Sequence, residues 1–379
     1  MTPAPRSAPD SSTRARDLGV RVGTGTPGTL NAISDVPGVR IGHATLIAGD
    51  GPLDVGRGPV RTGVTVVVPR EEPPWEQPVF AGAHALNGNG ELTGLAWLRE
   101  AGLLMAPIAI TSTHAVGAVR DALVAAEAAA RPPSDLFWRL PVVAETWDGV
   151  LNDVNGGHVN AEHVWAALEA ADSGPVPEGN VGGGTGMICH GFKGGIGTAS
   201  RRLDADAGGY TIGVLVQANH GRRERLTVDG VAVGRAIPDQ EVPEPVIPAM
   251  PDGRSGGGSI VVIAATDAPL LPHQCTWLAQ RAGLGVGRTG GAGEHWSGDV
   301  FVAFATGNRD LPSGDYGVTA PLTVGLRMVA GAHLNPLYDA AIEATEEAIV
   351  NALLAARTMT GRDGIVAHAL EPDRLLAAL

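Results

Sequence analysis

The segment GRSGGGSIVVIAATDAP, residues 253–269, decides the fold because glycine-rich chain passes directly into a continuous apolar run. The run SIVVIAAT is typical of a strand that is buried on both faces. Upstream, residues 237–258 contain five prolines and then four glycines in the last six positions, a composition that predicts a flexible loop. Ser259 therefore lies where a flexible loop enters a buried strand.

Strand and helix patterns on both sides of this junction define the fold class. Apolar runs predict five further strands, at residues 63–69, 107–111, 142–145, 211–218 and 300–306. Helical periodicity is found at residues 114–130, 161–171, 269–282 and 336–356, with Asn335 as the expected N-cap of the last helix. Because the strands and helices do not alternate strictly, the pattern favours a layered α/β architecture over a doubly wound sheet.

Charge and composition exclude several classes of partner. The formal net charge is -13, which argues against nucleic acid, since phosphate binding needs a basic surface. No apolar run approaches the length of a membrane span, so no membrane partner is expected. Two cysteines, Cys189 and Cys275, are too few for a disulfide framework. Residues 1–16 lack an apolar signal segment and are predicted to be a disordered tail, so a cytoplasmic location is expected.

The Gly258–Ser259 bond permits a specific chemistry. The Ser259 hydroxyl can attack the carbonyl of Gly258, and hydrolysis of the resulting ester releases a new amino terminus. Ser259 then carries both a nucleophile and an α-amine, whose pKa of about 7.7–8.0 lets it act as a base near neutral pH. This chemistry requires neither a histidine nor a metal ion. The alternative is that GGGS is an ordinary flexible linker.

Two other readings compete with this one. Residues 253–257 match G-x-S-x-G, the nucleophile elbow of α/β-hydrolases, which would make Ser255 the nucleophile of an esterase with His333 or His368 downstream. That motif needs a strand before the serine and a helix after it, whereas here proline-rich sequence precedes and a strand follows. A non-catalytic, glycine-rich assembly protein is the other alternative, and it predicts one intact chain.

Long stretches of the sequence resemble the L-aminopeptidase/D-amino-acid esterase family, which includes the β-peptidyl aminopeptidases. The most specific stretch is SGGGSIVVIAATDAPLLPHQ, residues 255–274. Further similar stretches occur at residues 27–46, 144–156, 179–201, 213–221, 297–308 and 342–356. The resemblance thus covers nearly the whole chain.

This resemblance implies a four-layer αββα sandwich of the Ntn-hydrolase type. It implies that residues 17–379 form a single domain, cleaved into residues 17–258 (with the tail) and 259–379. It also implies a homo-oligomer, a tetramer of processed heterodimers. Acetyltransferases that share the architecture and self-cleavage use a threonine nucleophile, so the serine here, with Glu145 upstream, favours hydrolysis over acetyl transfer.

The resemblance also implies roles for particular residues. Ser259 matches the nucleophile, and Asn219 matches the side chain that donates to the oxyanion. Ser297 and Asp299 match a Ser-Gly-acid motif whose hydroxyl and carboxylate support the α-amine of the nucleophile. A relative has Glu where this chain has Asp299, so the carboxylate here is one methylene shorter.

Two more positions match residues that bind the substrate. Glu145 matches an acidic residue that holds the free amine of the substrate, since a carboxylate pairs with an ammonium group. Trp147 lies where some relatives have Tyr, and an indole can donate a hydrogen bond but cannot accept one as a phenol does. The sequence is thus interpreted as a self-processing hydrolase of small peptides, amides or esters with a free amine. No cofactor is expected, and neither HExxH nor a Cys/His cluster is apparent as a metal site.

Overall fold

A computed structural model describes residues 13–246, 258–313, 315 and 319–379. The strands are β1 Arg40–Ala48, β2 Val60–Val68, β3 Val79–Ala85, β4 Leu103–Leu104, β5 Ile108–Ser112, β6 Val142–Thr146, β7 Ile188–Cys189, β8 Phe192–Lys193, β9 Gly195–Arg202, β10 Thr211–Asn219, β11 Ser259–Thr266, β12 Asp299–Ala305, β13 Met359–Thr360 and β14 Val366–Ala367. The α-helices are α1 Leu95–Ala101, α2 Val116–Ala130, α3 Ala161–Glu169, α4 Val233–Ala236, α5 Pro272–Arg288, α6 Asn335–Ala355 and α7 Pro372–Ala378.

Two sheets form the centre of the molecule. One has four strands in the order β1-β2-β5-β6, and the other has six in the order β4-β3-β12-β11-β10-β9. Neighbouring strands in both sheets are antiparallel, except for the parallel pairs β5–β6 and β11–β12. Every residue of β2, β11 and β12 is buried, as expected of strands whose two faces are both covered.

Side chains that alternate along β11 separate the layers. Val261 and Ile263 lie in the core between the two sheets, in the same cluster as Ile110 of β5. Ile260 and Val262 point the other way and join the core that α5 and α6 cover. Helices α2 and α3 cover the outer face of the four-stranded sheet. The predicted four-layer αββα sandwich is therefore confirmed, and its central core contains residues from both sides of Gly258.

All six predicted strands are present, but β1, β3 and β9 were not predicted. Strand β9, GIGTASRR, has no apolar run because small residues are needed where α6 crosses it. A Cβ at Gly197 would overlap the carbonyl oxygen of Ala348 in α6. Strand β1 exposes part of one face, so its apolar residues do not form a continuous run either.

The four predicted helices are confirmed with different ends. Helix α5 continues six residues beyond the predicted end at 282, through three glycines of low helix propensity. A Cβ at Gly285 would lie 2.6 Å from Cβ of Thr345, so close packing of α5 on α6 accounts for the glycine there. Helix α6 begins at Asn335 itself and its N-cap is Leu334, so the predicted capping role of Asn335 is wrong by one residue.

The predicted disordered tail and the predicted loop both differ from the structure in part. Residues 1–12 lie outside the described residues, but the Arg14 guanidinium donates to the carbonyls of Asn31 and Thr198, so the boundary at 16 is too late. Residues 247–257 also lie outside the described residues. Earlier in that segment Ile237 and Val242 are buried, so part of the predicted loop packs on the core.

Candidate active site

The hydrogen-bonding register of the six-stranded sheet places three predicted residues next to one another at the ends of adjacent strands. Ser259, the first residue of β11, pairs with Asn219, the last residue of β10. In the parallel partner β12, the first residue, Asp299, pairs with Ile260. The three side chains are buried, with Ser259 at 5% exposure. The end of a sheet thus collects a hydroxyl, an amide and a carboxyl group.

Gly258 occupies a position that admits no side chain. A Cβ at this residue would overlap the carbonyl oxygen of Asn219, because the chain enters β11 in close contact with the end of β10. The hydroxyl of Ser297 donates to the Gly258 carbonyl oxygen. The backbone N–H of Gly298 donates to Oγ of Ser259 at 3.1 Å. Hydrogen bonds therefore fix both reacting groups, the carbonyl of Gly258 and the hydroxyl of Ser259.

Ser297 connects the Gly258 carbonyl to Asp299. Its Oγ lies 2.5 Å from Oδ1 of Asp299, and Oδ2 of Asp299 accepts a hydrogen bond from Nδ2 of Asn87 at 3.2 Å. Burial raises the pKa of Asp299, although the bonds from Ser297 and Asn87 act in the opposite direction. A hydroxyl has a single proton. Ser297 can therefore donate to the Gly258 carbonyl or to Asp299, but not to both at once.

The side chain of Asn219 is fixed at both ends. Its Oδ1 accepts from the backbone N–H of Ile188 at 2.8 Å, and its Nδ2 donates to the carbonyl of Trp147 at 3.0 Å. The amide nitrogen carries a second hydrogen. Asn219 is thus a rigid donor beside Ser259, as an oxyanion site requires.

Glu145 lies on β6 of the four-stranded sheet and approaches the same place. Its Oε1 accepts from the N–H of Glu91 at 3.0 Å, and its Oε2 accepts from the hydroxyl of Thr113. Burial raises the pKa of this carboxyl. A Cβ at Gly90 would lie 3.0 Å from Cα of Gly298 and 3.4 Å from Oε1 of Glu145. Gly90 therefore lies between Glu145 and the backbone of Gly298, which contacts Ser259.

Trp147 contributes to the site through its backbone. Its carbonyl accepts the hydrogen bond from Asn219. Its ring packs in a small apolar cluster with Val150, Leu151 and Ile188. The Trp147 carbonyl thus helps to fix the side chain of Asn219, and the contact of its ring with substrate stays a prediction.

Lys193 is a residue of this region that the sequence analysis missed. It is the single lysine of the 379-residue chain, and its side chain is fully buried. Its ammonium group donates to the carbonyls of Met187 at 2.9 Å, Gly194 at 2.8 Å and Gly184 at 3.3 Å. Burial lowers its pKa to about 7. These bonds fix the turn before Ile188, whose N–H orients the amide of Asn219.

The element that follows Ser255, the alternative nucleophile, is not the one that a nucleophile elbow requires. Ser255 lies outside the described residues, but the element that follows is a strand, β11, and a nucleophile elbow leads into a helix. His333, one of its possible partners, is exposed on a short 3₁₀ helix. The α/β-hydrolase reading is therefore not supported.

The fold and the site together define a class of enzyme. A buried serine that begins a central strand of an αββα sandwich, directly after a glycine whose carbonyl is bound, is the arrangement of an N-terminal-nucleophile hydrolase. The sequence pattern of peptidase family S58 matches residues 31–367, and the chain belongs to this family.

Similar proteins support the same assignment. The chain is 49% identical over 97% of its length to the β-peptidyl aminopeptidase BapA of Sphingosinicella microcystinivorans, and it covers 91% of that protein. A solved β-aminopeptidase from Burkholderia sp. is 56% identical, with a TM-score of 0.89 and coverage of 97% and 98% of the two chains. The L-aminopeptidase D-Ala-esterase/amidase of Ochrobactrum anthropi, described as a variant of the Ntn hydrolase fold, is 43% identical, with a TM-score of 0.86 and the same coverage.

These findings establish the activity at the level of the family. The chain is an aminopeptidase, a hydrolase with an Ntn-type fold, and its substrates are peptides. The prediction of an enzyme is confirmed, and the assembly-protein and acetyltransferase alternatives are not supported. Within the described residues, no helix combines the length and apolarity needed to cross a membrane.

Proposed function

We propose that the chain cleaves itself between Gly258 and Ser259, and that Ser259, as a new amino-terminal residue, is the nucleophile of the aminopeptidase. The observation that carries the proposal is the geometry of this one peptide bond. Its glycine has no room for a side chain, its carbonyl accepts from Ser297, and the attacking hydroxyl accepts from the N–H of Gly298.

Self-cleavage would proceed as an N-to-O acyl shift. Oγ of Ser259 bonds to the carbonyl carbon of Gly258, and the hydroxyl of Ser297 stabilises the negative oxygen that forms. The carbon–nitrogen bond then breaks, and the proton lost by the hydroxyl ends on the nitrogen of Ser259. Water hydrolyses the ester, which leaves a carboxylate on Gly258 and a free hydroxyl on Ser259.

Peptide hydrolysis would repeat the same reaction on a substrate. The α-amine of Ser259 removes the hydroxyl proton, and Asn219 donates to the oxyanion from its fixed position. Ser297 and Asp299 lie next to the former peptide bond and would hold the new amine in place. Neither step needs a cofactor.

Glu145 would select substrates with a free amine. Its carboxylate is buried near the nucleophile, and the bonds from Glu91 and Thr113 fix its orientation. An ammonium group that reaches it forms a desolvated ion pair, which is strong when both partners are present and costly when one is missing. N-terminal residues of peptides, amides and esters carry such a group.

We further propose that the preferred N-terminal residue is a β-amino acid. Two of the similar proteins are named as β-aminopeptidases. In the uncleaved chain the acyl group next to Ser259 belongs to Gly258, where an L side chain on the α-carbon would overlap Asn219. A β-residue substituted on its β-carbon leaves that α-carbon free. We expect kcat/KM for the p-nitroanilide of β-homoalanine to exceed that for L-alanine; equal values would contradict the preference.

Mass spectrometry of the purified protein tests self-cleavage directly. The expected products are residues 1–258 and 259–379, the second beginning SIVVIAATD. A homogeneous intact chain with full activity would overturn the mechanism.

We also propose that processed chains assemble into a tetramer. Residues 319–330 are exposed along most of their length, and Leu322, Leu326 and Met328 place large apolar side chains in solvent there. Contiguous apolar exposure of this kind marks a protein interface. Light scattering should show Leu322→Asp as a smaller species, while Leu136→Asp, at another exposed leucine, keeps the native size. An unchanged mass of Leu322→Asp would remove this segment from the interface.

We propose a cytoplasmic location. Cys189 and Cys275 are both buried free thiols, which suits a reducing compartment. Cell fractionation tests it, and recovery of the enzyme outside the cytoplasm would contradict it.

A further inference from the structure

Three buried side chains with metal-binding atoms meet directly beside the candidate active site. One ligand atom each from Cys189, His190 and His220 lies within 4.8 Å of the others. Sγ of Cys189 is 3.8 Å from Nδ1 of His220, and the two imidazole rings are 5.0 Å apart between centroids. The sequence search for metal motifs missed this cluster because about thirty residues separate its two parts.

The tautomer of His190 is set by its surroundings. Its Nδ1 lies 3.0 Å from the carbonyl oxygen of Arg222, which can only accept, so Nδ1 carries the hydrogen. Nε2 therefore presents a lone pair. Among the described residues this buried atom has no hydrogen-bond partner, and neither has Nε2 of His220. A histidine whose Nδ1–H binds a backbone carbonyl while Nε2 stays free is arranged as metal-binding histidines are.

The backbone at His190 is left-handed. His190 and Gly191 form the two-residue turn of the β7–β8 hairpin, and both have positive φ, at 49° and 70°. Such turns favour Asn-Gly, and among non-glycine residues Asn, Asp and His are the types most often found at positive φ. The turn therefore accommodates His190, and Asn is a replacement that suits the same backbone.

We propose that Cys189, His190 and His220 bind a divalent cation that prefers thiolate and imidazole ligands, of which Zn²⁺ is the model, and that its binding inhibits the enzyme. Zinc holds sulfur at about 2.3 Å and nitrogen at about 2.0–2.1 Å, so the three ligands must draw together. The thiol releases its proton to solvent, and water completes the tetrahedron.

Contraction of the cluster would disturb the oxyanion donor. Cys189 follows Ile188, and His220 follows Asn219, so two ligands are chain neighbours of the hydrogen-bonded pair that orients the amide. A displacement of about 1 Å at a reacting site can cost about a hundredfold in rate. This part of the inference rests on the proposed role of Asn219, whereas metal binding itself does not.

Cobalt titration of the purified, processed enzyme tests both parts. We expect one Co²⁺ per cluster with a near-ultraviolet thiolate-to-cobalt charge-transfer band, and a fall in kcat of about tenfold or more that chelator reverses. Absence of the band would overturn the site. A cobalt-loaded enzyme with an unchanged kcat would overturn the coupling to Asn219.

Matched variants identify the ligands. His190→Asn keeps a residue suited to the turn but removes the ring, and Cys189→Ser removes the thiolate, so both should lose the band. Cys275→Ser, at the other buried free thiol, and His158→Asn, outside the cluster, should keep it. Thermal unfolding confirms that each variant is folded. Retention of the band by either His190→Asn or Cys189→Ser would refute the assignment.

Discussion

The two sheets of the sandwich contribute differently to the candidate active site. The six-stranded sheet supplies Ser259, Asn219 and Asp299, whose relative positions follow from the pairing of three adjacent strands. The four-stranded sheet supplies Glu145, which meets them across the loop at Gly90. Groups that share one hydrogen-bonded sheet hold their geometry tightly, whereas a group on the second sheet can change without altering them. Bond breaking and substrate selection should therefore be separable by mutation.

Removal of the nucleophile from the six-stranded sheet should have the largest effect. Ser259→Ala should remain uncleaved and lose peptide hydrolysis by at least about 10⁴-fold, since both reactions use the same Oγ. Mass spectrometry and a p-nitroanilide assay measure the two losses. Ser255→Ala is the matched control and should behave as the wild type. The opposite pattern would make Ser255 the catalytic serine.

The oxyanion donor on the same sheet should come second. Asn219→Ala should slow peptide hydrolysis, with kcat reduced by about 10²–10³-fold. Asn219→Asp keeps the oxygen that accepts from Ile188 and replaces the donor with a negative charge, so it should be equally slow but better folded. Time courses of hydrolysis and thermal unfolding curves distinguish a loss of catalysis from a loss of stability. Rapid turnover by Asn219→Asp would exclude oxyanion stabilisation.

A change on the four-stranded sheet should affect hydrolysis alone. Glu145→Gln should lower kcat/KM for free-amine substrates by about thirtyfold to several thousandfold, since a lost partner of a desolvated charge pair costs about 2–5 kcal/mol. Self-cleavage should proceed normally, because the precursor has no free amine at Ser259. N-acetylated substrates should react as poorly with the wild type. A Glu145→Gln protein that fails to process would move this residue into maturation.

The pH dependence of kcat/KM should distinguish Glu145, on the four-stranded sheet, from the groups on the six-stranded sheet. Burial raises the pKa of Glu145, so its protonated form persists above the usual carboxyl range of about 4.3. A protonated Glu145 cannot pair with ammonium, and kcat/KM should therefore fall as the pH drops through this raised pKa. Glu145→Gln should lack this acidic limb. Its persistence in the variant would assign the limb to another group, such as Asp299.

Metal removal should have the smallest effect on basal turnover. The proposed base is an amine and the proposed donor an amide, so dialysis against chelator should cause no loss of activity. Atomic absorption verifies removal of the metal. Activity that falls on chelation and returns with added zinc or manganese would contradict the proposed amine base and amide donor.

Sequence predicted those parts of the candidate site that depend on the local chain or on family resemblance. The junction at Ser259 is visible because a glycine-rich segment precedes an apolar strand, and the resemblance supplied Asn219 and Glu145. Asn87 and Gly90 were not predictable, because they act through a loop that only the fold brings to Asp299 and Glu145.

Small side chains explain most of the errors in the fold. Strand β9 and the end of α5 were missed because glycines that permit close packing with α6 also remove the apolar signal. Burial of Ile237 and the backbone contacts of Arg14 depend on distant partners, which composition does not reveal. Tertiary contacts, rather than local propensity, decided these segments.

The burial of Lys193 gives the enzyme an unusual surface chemistry. The chain has no second lysine, so the α-amines at the starts of the chains are the amines most open to a mild acylating dye near neutral pH. Each proposed cleavage at Gly258 would add one such amine, so dye incorporation would count maturation events in solution. Attachment of the enzyme to an amine-reactive support should lower its activity. The bond would form at the α-amine of Ser259, which is the proposed base.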